Sequence, residues 1–566
     1  MFTILLIISV FYQGQAVKDF GKDFVTAFPE NIAYYYPSTL FNTLKITALH
    51  NNTNFNVIFN GASIETGTLM AGQTKTVYLP DEVEEHQLGL STKSVRISSD
   101  NDVTVFSKSL RGSSIQTNVV QPVTNLGEVY QIPFVNFTEL ILLLNDYNVS
   151  TARKSQTQNY NLFRVLIINA EDKDNTVKVT NQQSGSETSF KLSAFQFVQM
   201  SGSESAMKIS AGAYVSVLLT HPCLDTSFCK CTMVVHQLRP ANLLGDHFLV
   251  PSFQIGEYSR MFSTSDQSVN FEYGSPPNNG SQTLNPGSSD FLSFYQHLTV
   301  GFSNITTSQP VSLKLMGVGS LVDLIPVSMF SACYLVHSSS FAVSQALLIV
   351  ETTQVSETYI DKTNSGSSMT WNAINGTEYS WAVVDLYLLM SQVIWHPSSK
   401  MAVYVFERMA STLFDYGGPA ISINEEPDPR GCLVSQAMLE VSDQSVSWPA
   451  SCQYCKLKGG YLASPSWAEA QRYMIQELEE VGATGQAWIG LRRSLLTSEW
   501  YWQTGQNFSF SNWASGQPVS PEKGMCVFVK LEPNGNYTWN SARCCTSMKP
   551  MCFKEPNYLH LINPIS

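Results

Sequence analysis

Eleven cysteines and nine histidines are the residues of this chain best equipped for chemistry, and the cysteines come in clusters. Cys452-Gln-Tyr-Cys455 has the C-x-x-C spacing of a redox pair, but no strand–helix–strand unit surrounds it. Cys223, Cys229 and Cys231 bunch on one predicted loop. Cys229 and Cys231 are too close for easy mutual pairing, so Cys223–Cys231 is expected, leaving Cys229 and Cys333 over. Zinc is the sharper alternative there, with His221 and His236 nearby, but no spaced pair of C-x-x-C units supports it. Glu84-Glu85-His86 reads as an acidic turn on a solvated face. No G-x-S-x-G elbow, H-E-x-x-H pair or Walker loop occurs. The expectation is a protein with no catalytic residues, not an enzyme.

The elements that hold these residues follow from composition. Charged residues make up 14% of the 566, well under the usual ~25%, while apolar types reach 43% and aromatics 11%. Such a chain buries cores and is not disordered. The net charge of −12 offers nothing to nucleic acid or an anionic membrane, both of which need a basic face. Residues 1–16 read as a signal peptide: an apolar run from Phe2 to Tyr12, then Gly14 and Ala16 as the small residues before the cut. No later segment is long and apolar enough to span a bilayer, so a secreted, extracellular protein is expected. Eight N-x-Ser/Thr sequons agree, at Asn51, Asn136, Asn148, Asn279, Asn304, Asn375, Asn507 and Asn536. Clustered cysteines fit the same oxidising compartment.

From Lys18 to about Arg408, short strands with period-two alternation are separated by Asn, Gly, Ser and Asp clusters. LKITALHNNTNFNVIFNG from Leu44 and RVLIINAEDKDNTVKVTN from Arg164 share one layout, about 120 positions apart. GEVYQIPF, ending at Phe134, and GDHFLVPSF, ending at Phe253, look like a repeated exit, echoed weakly near Leu321. The pattern predicts a serial array of β-sandwich-like modules, since the spacing exceeds the ~40–45 residues of a propeller blade. Two stretches, GKDFVTAFPEN (Gly21 to Asn31) and VVHQLRPANLLGDHFLVPSF (ending at Phe253), resemble the amino-terminal domain of the IgGFc-binding protein family. The resemblance implies a mucosal or innate-defence setting, and it alone suggests immunoglobulin as a partner. No cysteine-dense array of the kind that follows in longer relatives is present.

The expected boundaries are 17–253 and 254–411 for two β-module regions, 412–430 for a linker, 431–556 for a different domain and 557–566 for a tail. The linker reading rests on Gly417-Gly418-Pro419, an acidic pair and two further prolines. Beyond it, Ser447 caps a helix with Pro449 in its first turn, and Ser466 with Glu469 forms a capping box for a second. Ala470, Tyr473, Met474, Leu478 and Val481 share that helix's face.

Cys455-Lys-Leu-Lys-Gly-Gly, WIGL from Trp488 to Leu491, Asn512-Trp513, Trp539-Asn540 and the spacing of Cys544 from Cys552 are similar, in register, to the C-type lectin-like domain. The resemblance implies an α+β fold with Cys455–Cys552 and Cys526–Cys544 bridges. Cys452 and Cys545 are then left over. They are expected to pair, because Cys452 sits one helical turn from Cys455. Cys432 is free, paired outside this domain, or part of a dimer.

In this family sugar binding runs through one Ca²⁺ held by residues flanking a proline, an acidic residue, and the pair after a tryptophan. The matching positions here are Gln517-Pro518-Val519, Gly524 and Trp539-Asn540-Ser541. Val519 has no side-chain oxygen, Gly524 stands where an acid is expected with Glu522 two positions off, and Ser541 replaces a carboxylate. A hard cation needs ~6–8 oxygens, several charged, so calcium is disfavoured as a cofactor and no metal site is expected. Restoring Val519→Asp, Gly524→Glu and Ser541→Asp together is expected to create Ca²⁺ uptake. Trp500, Tyr501 and Trp502 read as an alternating core strand before a sugar-stacking platform. The ligand-binding candidates are therefore Gln517, Pro518, Glu522, Trp539 and Asn540. The function expected is recognition or adhesion, with a lectin-like head taking protein or glycan without calcium. A structural mucus or matrix role and calcium-dependent carbohydrate binding are the alternatives.

Overall fold

The computed structural model describes residues 17–32, 40–112, 114–135, 163–227, 230–250, 260–275, 278–287, 303–317, 320–338, 342–387, 390–409, 415–532, 535 and 537–562. The expected signal segment, Cys229 and the sequons at Asn136, Asn148 and Asn536 lie outside these residues. Two compact units result, one of Met1–Leu433 with Leu559–Ser566, the other of Val434–Tyr558.

In the first unit one plan recurs. A strand opens a module, a long strand pairs along its length with several neighbours, and a closing strand leads to the next module. In the first module β1 (Gly21–Thr26) and β2 (Ser114–Val120) both pair with the long strand Val95–Arg111. In the second, β3 (Gly127–Ile132) and β5 (Lys230–Gln237) pair with β4 (Met207–Ser227). In the third, β6 (Gly245–Val250) and β7 (Ser320–Asp323) pair with Ser303–Gly317. The fourth splits into two five-stranded sheets. One contains β8 (Cys333–His337) and β11 (Ile421–Asn424); the other contains β9 (Met401–Met409) and β10 (Asp415–Pro419). Alternation drives strands with one buried face: in Thr53–Phe59 the alternate positions Thr53, Phe55, Val57 and Phe59 are buried and their neighbours are not.

The joints between modules repeat as well. A Cβ on Gly21 would lie 2.8 Å from the Pro122 Cβ, one on Gly127 2.5 Å from Pro240, and one on Gly245 2.3 Å from Pro326. The first three modules thus open on a glycine because the next module's proline occupies the space a side chain would need, while Ser331 holds that position in the fourth. Three residues on stand Phe24, Tyr130, Phe248 and, in the fourth module, Tyr334, all buried. The Tyr130 hydroxyl accepts from Gly127 N and donates to the Val215 carbonyl; the Tyr334 hydroxyl does the same with Ser331 N and the Met401 carbonyl.

The series closes on itself. β2 packs on β5, β5 on β7, β7 on β10, and β10 on β2. The clasp is Asp19: its backbone N–H donates to the Ser422 carbonyl at 2.8 Å, and its carboxylate accepts from Ser422 N at 2.7 Å and Gln121 Nε2 at 2.8 Å. The expected linker 412–430 is therefore corrected, since β10 and β11 within it are integral strands, antiparallel to β9 and β8. A Cβ on Gly417 would lie 2.0 Å from the Val405 carbonyl oxygen, so glycine there admits β9 and does not mark a flexible joint. Cys333 and Cys432 form a disulfide, and Cys223 bridges Cys231. The Glu84–Glu85 turn also departs from expectation. Glu84 is buried against Arg111 at 2.6 Å, and Glu85 accepts from Ser91 and Gln87, so both acids are structural and not solvated.

The second unit is α+β. Its elements are β12 (Met438–Val441), α1 (Trp448–Leu457), α2 (Ala468–Val481), β13 (Gly485–Arg493), β14 (Trp500–Trp502), β15 (Cys526–Leu531), β16 (Trp539–Ala542) and β17 (Lys549–Lys554). Ser447 caps α1, its hydroxyl accepting from Ala450 N. The expected capping box fails: Trp467 stands at the N-cap of α2, and Ser466 instead donates to Gln506. α2 buries Gln471, Met474 and Leu478, while Val481 is exposed. The chain is mainly β, a series of β-modules followed by an α+β domain.

Candidate functional site

The core of the second unit is built from the motif residues. Trp488 and Trp448 fill it, the Trp488 indole donating to the Val446 carbonyl at 3.0 Å and the Trp448 indole to the Ile489 carbonyl at 2.9 Å. Cys455–Cys552 joins α1 to β17, and Cys526–Cys544 joins β15 to the turn after β16. The third bridge expected, Cys452–Cys545, is absent. Cys452 is half-buried among the side chains around Cys455, where burial pushes its thiol up to about 12. Cys545 is exposed beside a neighbour, Cys544, that packs inward, so the two leftover sulfurs lie in different surroundings. Among the described residues the histidines weighed for zinc have other partners. His221 Nδ1 accepts from Cys223 N, and His236 sits 3.0 Å from Asp323.

β15 and β16 pair in register Val527↔Ser541, Phe528↔Asn540 and Val529↔Trp539, which brings the residues after Trp539 to the loop holding Gln517. Trp539 is fully buried and donates to Gln471 Oε1 at 3.0 Å, fastening the strand to α2. Trp513, Phe510 and Trp502 surround it edge-on at 5.4–5.8 Å. Trp539 is thus a packing residue that positions Asn540 and Ser541, not a ligand contact. The Trp500 to Trp502 run alternates as expected, with Trp502 buried and Tyr501 exposed.

The peptide before Pro518 is cis. Gln517 Oε1 accepts from Ser541 N at 3.0 Å and from Ser541 Oγ at 2.9 Å; Ser541 Oγ in turn accepts from Val519 N at 2.9 Å. A backbone N–H only donates, so the Gln517 amide must present its oxygen to Ser541. Both lone pairs of that oxygen are then spent. A Cβ on Gly524 would lie 2.9 Å from the carbonyl carbon, Cβ and Oγ of Ser541, so the position of the missing acid is closed by Ser541. Glu522 is exposed on the turn Ser520–Gly524. This donor set does not fit a hard divalent cation: the oxygen beside the proline is consumed, and Glu522 belongs to an exposed turn. It also corrects the triple restoration, because Gly524→Glu cannot enter without displacing Ser541. What remains beside it is neutral, with Asn540 itself buried and Gln517 half-buried. Asn540 donates to the Thr538 carbonyl and keeps Oδ1 as an acceptor, Gln517 keeps its amide N–H groups as donors, and Pro518 is exposed.

Comparison with known proteins places both units. The model of the family described as "IgGFc binding protein" matches residues 116–406, just over half of the chain. The chain belongs to this family. A "Lectin C-type domain" follows the IgGFc-binding region, at residues 444–554. Human IgGFc-binding protein is 28% identical over 183 residues, covering 30% of this chain and 3% of that protein. Human C-type mannose receptor 2 is 27% identical over 113 residues, 20% of this chain and 7% of the receptor. A crystal structure of human lithostathine covers 21% of this chain and 84% of its own, with 22% identity and a TM-score of 0.20. The chain therefore spans only a small fraction of the length of the IgGFc-binding protein and mannose receptor it matches. Among the described residues no helix is long and apolar enough to cross a membrane.

Proposed function

We propose that the protein is a secreted, glycosylated recognition molecule of mucosal or innate-defence settings, whose lectin-like unit binds protein or glycan without calcium. The observation that carries this is the closed set of bonds among Gln517, Ser541 and Val519, which occupies the position where the domain's relatives would hold a cation. The half-buried Gln517 amide and the exposed Pro518 ring, with the buried Asn540 behind them, offer a neutral edge suited to hydroxyls or peptide groups. Disulfides in both units fit export. The sequons at Asn51, Asn279, Asn375 and Asn507 are exposed, as glycan attachment requires. Screening the full chain on glycan and protein arrays, with and without chelator, tests the reading. Binding that survives chelator supports it; binding abolished by chelator would make calcium-dependent sugar recognition the function.

A second reading rests on the exposed Cys545 thiol. An exported protein with an unpaired surface cysteine can cross-link chains, as a structural component of mucus or matrix would. Electrophoresis without reductant separates the two readings: a reducible dimer or polymer that is lost in Cys545→Ser favours the second, and a monomer removes it.

A further inference from the structure

Where the four modules of the first unit meet, β2, β5, β7, β10 and the segment around Asp19 line a cavity of about 110 Å³. Its size is comparable to the ~150 Å³ engineered cavity that admits benzene. The polar groups on its wall fall into two classes. Most are spent on one another: the Asp19 carboxylate on Ser422 and Gln121, Gln237 on Gln121 and Ser216, and the Tyr334 hydroxyl on Ser331 and Met401.

Arg239 and His337 are different. The Arg239 Nη1 reaches only the Met329 thioether, at 3.3 Å, a weak acceptor, and its Nε stands 3.8 Å from Asp323, beyond hydrogen-bond range. Asp323 is already held by Lys314 on one oxygen and by His236 at 3.0 Å on the other. Asp323 thus faces both Lys314 and Arg239, the other carboxylates of the wall, Asp19 and Glu407, have hydrogen bonds of their own, and the guanidinium keeps most of its donors. His337 is buried; Nδ1 meets Ser391 Oγ at 2.7 Å, and Nε2 has no hydrogen-bond partner. If the Ser391 hydroxyl donates to Nδ1, the ring proton sits on Nε2. Phe106, Leu126, Leu321 and Val405 supply apolar wall. The Arg239 side chain is 23% exposed, so its unspent donors can be reached from the cavity, and a guanidinium fork matches a carboxylate.

We propose that this cavity is a binding site for a small monocarboxylate with an apolar body, its carboxylate on the Arg239 guanidinium and its body against a wall that includes the His337 ring. The site lies wholly in the first unit and is independent of the lectin-like unit's ligand. Benzoate is the probe, with benzyl alcohol and benzylamine as controls of equal shape, titrated calorimetrically and by thermal unfolding into the full chain. Benzoate should bind at one site and raise the melting temperature by mass action, while the alcohol and amine do neither. Arg239→Lys, which keeps the charge and loses the fork, should weaken benzoate ~10-fold or more. Should that variant fail to fold, the wild-type chain still decides through the His337 ring resonances, which should shift on saturation. The proposal is overturned if benzoate gives no response up to ~10 mM, where a useful site would be saturated. It also fails if benzyl alcohol binds equally well, or if benzoate binds with the His337 signals unmoved.

Discussion

Ser541 makes a bond that a carboxylate in its place could not: its hydroxyl donates to Gln517 while it accepts from the Val519 N–H. The site is therefore a closed neutral unit, and its stability is expected to ignore chelators. EDTA should leave the melting temperature of the full chain unchanged. Reductant should lower it markedly, since loss of a native disulfide typically costs ~2–5 kcal/mol; a calcium-dependent shift of several degrees would refute the site reading. Gly524 gives a second test at this scale. Gly524→Ala forces a methyl against the Ser541 backbone and should cost ~1–3 kcal/mol in denaturant unfolding, a cost typical of overpacking. The missing ligand oxygens at Val519 and Ser541 were legible in the sequence because side-chain chemistry is local. The steric closure of position 524 was not, since it depends on the β15–β16 register that carries Ser541 over it.

Among elements, strand grammar read well wherever burial was one-sided. It failed where two signals mean different things in different company. Gly417-Gly418-Pro419 has the composition of a hinge, yet sits in a strand where a close neighbour excludes side chains. Ser466 and Glu469 have the spacing of a capping box, but Gln506, forty residues away, claims the serine. The joint between the third and fourth modules yields a quantitative test. Gly245→Ala drives a Cβ into Pro326 and should destabilise by ~1–3 kcal/mol. Pro326→Ala in the same chain should return a good part of that, a coupling readable in a double-mutant cycle. Additive effects would mean that the two residues do not share the joint's space.

For the first unit as a whole, the charges at the module junction set how stability follows pH. Burial pushes Asp19 up to about 6 against the bonds from Ser422 and Gln121 and the charge of Arg239. A carboxyl whose folded pKa exceeds its unfolded value holds its proton more tightly in the native state. Its contribution is greatest below the unfolded value, near 4, and is lost as pH rises through about 6. Asp323 runs the other way: burial works to raise its pKa, but Lys314, His236 and Arg239 hold it far below the usual carboxylate range, so its contribution is lost only in strong acid. Asp19→Asn keeps an acceptor for Ser422 N and should flatten the decline in unfolding free energy between pH 4 and 6. An unchanged slope would place the titration elsewhere. None of this was visible in the sequence, which brings residues 19, 121 and 422 together only through closure of the module series.

Leu559–Ser566 belongs to the same compact unit as Met1–Leu433, so the second unit is an insertion, not an appendage. Leu559 N donates to the Cys432 carbonyl, Cys432 is bonded to Cys333, and Ile562 N donates to the Gly72 carbonyl, over which His560 leaves no room for a side chain. Against proteolysis, this arrangement is a safeguard against loss of the second unit. One nick between Cys455 and Cys552 leaves the halves joined by their disulfide. One nick just after Leu433 leaves the lectin-like unit moored by its returning tail. Only two cuts, one on each strand of the mooring, would set it adrift.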